Sequence, residues 1–176
     1  VLTEDIAFGR EMGYALKLLA IAKRDGDAIE VRVHPTFIPN EHPLASVNGA
    51  FNAVYLYGHA CGEMMFYGRG AGDMPTAGAV VSDLLRAAQA YKHLHPTFVN
   101  SATPDATLTF HQNWRSAYYV RIAAKDEPGV LSRIAGGFAA QGISIAAMQQ
   151  NGAVRDGHVP LVFITHETGE QAMRAF

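Results

Sequence analysis

Three alternating glycines constrain this chain more than any other feature. In Met65-Phe66-Tyr67-Gly68-Arg69-Gly70-Ala71-Gly72-Asp73-Met74-Pro75-Thr76-Ala77-Gly78-Ala79-Val80, a strand pattern runs into Gly68-x-Gly70-x-Gly72 and then into a helix pattern. Pro75 suits a first helical turn, where its missing N–H has no intrahelical partner to lose. Asp73 or Thr76 can cap the free amides there. Two readings fit the residues. One is a tight turn packing a helix against a sheet. The other is a place where bare backbone and a helix N-terminus meet an electron-rich ligand. The spacing is neither the dinucleotide fingerprint G-x-G-x-x-G nor a P-loop, because no acidic residue follows at ribose distance and no Lys-Ser/Thr pair follows.

The length of 176 residues allows one domain or two small ones, and 49% apolar residues suffice for a core. A formal charge of -2 gives no basic face for nucleic acid. The single cysteine, Cys61, excludes a disulfide framework and fits a reducing compartment. The run Leu18 to Ala22 is too short to cross a bilayer, and no charged-then-apolar leader opens the chain.

Taken in order, Thr3-Glu4-Asp5 reads as a helix start capped by the Thr3 hydroxyl, with the helix stopping at Gly13. Tyr14 to Lys23 and Ala28 to Ile38 read as a hairpin around Asp25-Gly26. Ile29, Val31 and Val33 share one face of the second strand, and Glu30, Arg32 and His34 the other. The polar set is expected to be solvated. Pro35, Pro39 and Pro43 are expected to break regular structure, leaving Phe37 to Asn48 as loop with one helical turn. A second hairpin, Ala50 to Tyr57 and Cys61 to Tyr67, delivers the chain to the glycines. The helix after Pro75 carries Val80, Leu84, Ala87 and Tyr91 as a stripe expected to face a sheet.

From His93 to Ser116 the periodicity fades, and residues 94–116 read as a linker whose Phe98, Leu108, Phe110 and Trp114 can dock on a neighbour. His93-x-His95 is half a metal site at best, so no metal is assigned. A second unit, 117–176, then reads β-α-β-β-α: Tyr118 to Ala124, a turn at Asp126-Glu127-Pro128-Gly129-Val130-Leu131, and a helix to Ala140 closed by Gly142. Ile143 to Gln150, a hairpin at Asp156-Gly157, Val159 to Thr165, and a helix capped by Thr168 follow. The fold class expected is α+β: a mixed or antiparallel sheet with helices, followed by a ferredoxin-like βαββα(β) unit lacking its last strand. The open edge that results invites pairing, and weak protection is expected from Thr165 onward.

Two sets of residues resemble one family. Glu4-Asp5-Ile6, Gly13 to Leu19, Arg32-Val33-His34-Pro35-Thr36, His42-Pro43-Leu44, Val47-Asn48-Gly49, Phe51-Asn52-Ala53-Val54 and Tyr67 to Asp83 resemble the C-terminal part of the catalytic region of homoserine dehydrogenase. Asp126 to Leu131 with Gly142-Ile143-Ser144-Ile145 resembles an ACT domain. The resemblance implies interconversion of L-aspartate 4-semialdehyde and L-homoserine with NADP or NAD, in threonine, methionine and isoleucine biosynthesis. It places residues 1–93 in the catalytic and dimerisation region. It implies a cytoplasmic homodimer or higher homo-oligomer acting on a small-molecule substrate, with no nucleic-acid or membrane partner. The cofactor would be held mainly by a domain preceding Val1, so no catalytic residue is assigned and the segment by itself is expected to be inactive. Gly72 matches a cofactor-contacting position of the family, with Gly70 and Ala71 beside it. The resemblance further implies a threonine effector at Asp126, Gly129, Val130 and Leu131, with Asn151 from a partner subunit. The competing reading is a non-enzymatic ACT-type amino-acid-binding regulatory protein.

Overall fold

A computed structural model describes residues 1–89, 107–150 and 157–176. The chain divides into two units. One comprises residues 1–19 and the described part of 33–106; the other comprises residues 20–32 and the described part of 107–176. His93, His95 and Tyr91 lie outside the described residues.

In the first unit, α1 (Thr3–Glu11) ends at Gly13, whose φ of 81° stops the helix. Thr3 is already helical. The Asp5 carboxylate caps the turn instead, accepting from the Leu2 amide at 2.6 Å. β1 (Tyr14–Asp25) and β2 (Ala28–Pro39) form the first hairpin, turning at Gly26 with φ 56°. β2 passes through Pro35 without breaking. Its second neighbour, β5 (Thr109–Phe110), pairs only at Ala28 and Ile29, so Pro35 sits on an open strand edge where a missing N–H costs no ladder bond. A 3-10 turn (Pro43–Ser46) follows, with His42 Nδ1 accepting from the Leu44 amide at 3.1 Å. β3 (Phe51–Gly58) and β4 (Gly62–Arg69) pair antiparallel over their full length, from Phe51↔Arg69 to Gly58↔Gly62. α2 (Asp73–Gln89) comes next.

The faces differ from the sequence expectation. Glu30 is buried, whereas Val31 and Val33 are 58% and 63% exposed. Alternation along β2 correctly gives two faces, but their sense is inverted. The polar face is the one with a neighbour, because Arg32 lies 5.3 Å from the centroid of Trp114, itself buried. The α2 stripe is uncovered too: Val80, Val81, Leu84 and Leu85 are all exposed, and no α2 residue is buried.

In the second unit, β7 (Tyr119–Lys125), α3 (Val130–Ala140), β8 (Ile145–Gln150) and β9 (His158–Thr165) build a three-stranded antiparallel sheet in the order β7-β9-β8 with a helix on it. Phe138 from α3 packs with Ala124, Ile143, Leu161 and Phe163, ringed by Val120, Ile122, Val130 and Ile134. Central β9 buries residues on both faces, as a strand with two neighbours does. Among the described residues, β8 pairs with β9 from Leu161 onward, so no described ladder bond to β8 falls on Pro160. Gly142 has φ 66°, the expected left-handed helix stop.

Of the stretch 94–116, the described residues 107–116 hold two short strands: β5 runs beside β2, and β6 (Arg115–Ser116) pairs with β10 (Thr168–Gly169). Thr168 is therefore a buried strand residue and not the cap of α4 (Glu170–Ala175). Asn113 Oδ1 takes that role, accepting from the Gln171 amide at 3.0 Å. The end of the chain packs on the second unit's core, and exchange from Thr165 onward is the measurement that bears on the weak protection expected there. Phe176 stacks on Phe138 at 4.0 Å and 12°, and the Thr165 and Glu170 amides donate to the Tyr118 and Trp114 carbonyls.

Candidate functional site

The β3–β4 hairpin carries two unlike faces, and the glycine turn belongs to one of them. Phe51, Ala53, Tyr55, Met65, Tyr67 and Arg69 share the face that carries the ring contacts, although Tyr67 on it is 54% exposed. There Phe51 stacks on Tyr67 at 4.8 Å, Arg69 lies over Phe51 at 5.0 Å, and His42 meets Tyr55 at 4.9 Å. The Tyr55 phenol is held protonated above its ordinary range, by desolvation first and by its hydrogen bond to Glu63 second. The cation inside the glycine run, Arg69, thus stacks on an aromatic ring of that same face.

The other face is open. Leu56 opposite Met64 and Val54 opposite Phe66 form an apolar ladder, all four exposed. The ladder ends in Asn52 opposite Gly68. A Cβ on Gly68 would meet nothing within 4 Å, whereas one on Gly70 would run into the Asn52 amide group. The Gly70 amide donates to the Ala50 carbonyl at 3.1 Å, so the strand geometry persists to this point. Gly72 then turns the chain with φ 126°, a conformation L side chains rarely adopt. The Thr76 hydroxyl and amide both bond to the Gly72 carbonyl, at 2.8 and 3.1 Å. Thr76 therefore braces the turn from inside the helix and does not cap a free amide.

Gly70, Ala71 and Gly72 are exposed, contiguous and placed at the start of a 17-residue helix. Bare backbone beside open space, with Gly70 kept small by Asn52, fits a flat ring or another electron-rich group at close range. Asn52 is the residue that sequence reasoning missed. The available signal was a lone amide in a strand otherwise made of Phe, Ala, Val, Tyr, Leu and Gly. Lys17 holds the segment leading into β3, donating to the Val47 carbonyl at 2.5 Å and to Asn48 Oδ1 at 2.9 Å.

The second candidate cluster lies between β7 and α3. Gly129 has φ 86° at the N-cap of α3, with no atom within 4 Å of where a Cβ would stand. Asp126 is exposed, and its amide donates to the Gly157 carbonyl at 3.4 Å. Leu131 is 41% exposed, whereas Val130 spends its side chain on the core. Asn151 lies outside the described residues. Among the described residues no group of three or more His, Cys, Asp and Glu could hold a metal ion, and no helix is long and apolar enough to cross a membrane.

Comparison with known proteins bears on both clusters. Residues 1–85 match the family model for homoserine dehydrogenase, and residues 118–174 match that for the ACT domain. The homoserine dehydrogenase of Bacillus subtilis is 43% identical over 95% of this chain and 39% of its own length. That of Neisseria gonorrhoeae is 38% identical over 98% of this chain and 41% of its own length. The crystal structure of a homoserine dehydrogenase from Thiobacillus denitrificans superposes with a TM-score of 0.79 at 41% identity, covering 98% of this chain and 40% of that one. The chain thus spans about two fifths of the length of the curated relatives it matches. Homoserine dehydrogenases are oxidoreductases, a class whose hydride chemistry is carried by a nicotinamide cofactor. With part of the dehydrogenase region followed by an ACT domain, the chain belongs to the homoserine dehydrogenase family.

Proposed function

We propose that the protein containing this chain interconverts L-aspartate 4-semialdehyde and L-homoserine with NADP or NAD, in the synthesis of threonine, methionine and isoleucine. It works in the cytoplasm as a homodimer or higher homo-oligomer. When bound, the nicotinamide supplies and accepts the hydride. Residues of this chain bind and orient: the Gly70-Ala71-Gly72 backbone approaches the cofactor, Asn52 borders that approach, and Thr76 fixes the turn. The carrying observation is Gly72, exposed at φ 126° where the open hairpin face meets α2. A purely non-enzymatic sensor would leave the dehydrogenase match of residues 1–85 without explanation.

The ACT unit is proposed to sense an amino acid, threonine, at the turn of Asp126, Gly129 and Leu131. Asn151 of a second copy would add a contact. Support comes from the open space over Gly129 at a helix N-terminus, where amides suit a carboxylate.

The test of the catalytic reading is Gly72→Val in the full-length enzyme. A β-branched residue at this φ is strained, by about 1–3 kcal/mol, and fills the approach. Cofactor KM is expected to rise at least tenfold while the KM for homoserine changes little. Unchanged cofactor kinetics would return Gly72 to a purely structural role.

A further inference from the structure

The segment leading into β3 sets an asparagine side chain against its own backbone. Asn48 is followed by Gly49, and both are exposed. Gly49 has φ 66°, and a Cβ placed on it would meet nothing within 4 Å. Among the described residues no hydrogen bond occupies the Gly49 amide. With no side chain in the way, that amide nitrogen can swing onto the Asn48 side-chain carbonyl carbon and close an imide ring. Asn52 and Asn113 precede Ala53 and Trp114, whose side chains hinder the same approach. The Asn48 carboxamide is also held at both of its polar atoms. Lys17 Nζ donates to Asn48 Oδ1 at 2.9 Å and is itself fixed on the Val47 carbonyl at 2.5 Å. Asn48 Nδ2 donates to the Ser46 carbonyl at 3.0 Å, so the oxygen and not the nitrogen faces the cation. An ammonium at that oxygen polarises the carbonyl and stabilises the negative charge it gains when a nitrogen adds to the carbon.

We propose that Asn48 is a self-modification site, deamidated by attack of the Gly49 nitrogen with Lys17 stabilising the oxyanion, and that its isoaspartate product loosens the tie between β3 and the glycine turn. The Gly49 amide gives its proton to hydroxide, and its nitrogen forms a bond to Asn48 Cγ. The Cγ–Nδ2 bond breaks, and Nδ2 leaves as ammonia after taking a proton from water. Water then opens the cyclic imide at either carbonyl, giving aspartate or isoaspartate. No oxidant or reductant takes part. Isoaspartate routes the main chain through Cβ, which adds a methylene before Gly49 and turns the residue 48 backbone carbonyl into a free carboxylate. That carbonyl accepts from the Phe51 amide at 3.3 Å, and the neighbouring Ala50 carbonyl accepts from the Gly70 amide at 3.1 Å. The change therefore falls on the bonds that start β3 and seat the glycine run beside it. Every group named lies in the first unit, and the chemistry does not depend on the proposed catalytic reading.

The experiment ages the full-length enzyme and its Lys17→Met and Lys17→Arg variants in mildly alkaline buffer. Conversion is read by peptide mass spectrometry, and isoaspartate by enzymatic methylation. In the wild type, Asn48 is expected to convert at least tenfold faster than Asn52 or Asn113. Conversion no faster than at Asn52 would overturn the proposal. Removing a buried oxyanion donor slows catalysis by about 10²–10³. This donor is only partly buried, so Lys17→Met is expected to slow Asn48 at least threefold. Lys17→Arg keeps a cationic donor and should stay within twofold of the wild type. In denaturant, where the contact is gone, all three should convert Asn48 at one rate. A variant with methionine that converts as fast as the wild type would overturn the role of Lys17. So would a slowing that persists in denaturant or that arginine shares in full. Wild-type enzyme aged to isoaspartate should exchange the Gly70 amide at least threefold faster than fresh enzyme. Unchanged exchange there would overturn the link to the glycine turn.

Discussion

The β7–β9–β8 sheet with α3 and the β3–β4 hairpin with α2 come from one chain, yet they bury their apolar residues very differently. In the first, Phe138 and Phe163 are wholly buried and Val162 is 1% exposed. In the second, Val54, Phe66, Val80 and Leu84 are each more than half exposed. A strand or helix with an apolar face must bury it against another layer. The ACT unit supplies its own second layer, α3 on the sheet, and the hairpin and α2 have none among the described residues of their unit. The ACT core is therefore the stability centre of this chain, and the dehydrogenase portion leaves apolar surface uncovered among its described residues. The open ladder Leu56/Met64, Val54/Phe66 running into Asn52/Gly68 is one such surface, and it ends on the glycine turn.

The strongest way to break this comparison is a pair of truncations in the 176-residue chain. Phe138→Ala should cost about 3–5 kcal/mol, as for other buried Phe→Ala changes. Phe66→Ala, at 61% exposure, should fall within about 0.5 kcal/mol. Denaturant midpoints measure both, and equal losses would mean that the hairpin face is covered.

A smaller effect sharpens the account of the second unit. Asn113→Ala should remove the side-chain acceptor at the start of α4 and cost about 1 kcal/mol, whereas Thr168→Val, which keeps a β-branched strand residue opposite Ser116 and deletes only the hydroxyl, should cost less. A larger loss at Thr168 would restore it as the cap.

The smallest effect is expected in alkali. The Tyr118 phenol ionises above its ordinary range, because burial disfavours the phenolate and the Glu170 carboxylate accepts its proton in a hydrogen bond. Its unfolded counterpart ionises near pH 10. A raised folded value means the contribution is complete below that pH and is lost as pH rises through the folded value. Tyr118→Phe should flatten this alkaline limb of the stability curve, and an unchanged limb would assign it to other groups.

Much of the local structure was legible in the sequence. Gly13, Gly26, Gly129 and Gly142 all take the left-handed φ that their positions implied. The hairpin pairs, the β-α-β-β-α order and the glycine turn followed from period and punctuation. What the sequence did not show was the side to which each element turns. Alternation in β2 separates Glu30 and Arg32 from Val31 and Val33 but says nothing about which set meets a neighbour. That depends on Trp114, more than eighty residues away in the sequence. The three hydroxyls read as caps fail for a related reason. Thr3, Thr76 and Thr168 have the right residue type near a helix start, but Asp5 and Asn113 offer competing acceptors and the Gly72 carbonyl a competing partner. Asn52 received no role at the glycine turn because its importance is a cross-strand relation to Gly68 and a contact with Gly70.

The claim that the ACT unit alone carries the stability of this chain is tested most directly by native-state hydrogen exchange on the 176 residues. Amides of Val162 and Phe163 in β9, and of Phe138 in α3, should exchange only through global unfolding. Those of Val54 and Phe66 in β3–β4, and of Leu84 in α2, should exchange at least a hundredfold faster through local opening. Protection in β3–β4 equal to that in β9 would contradict the account.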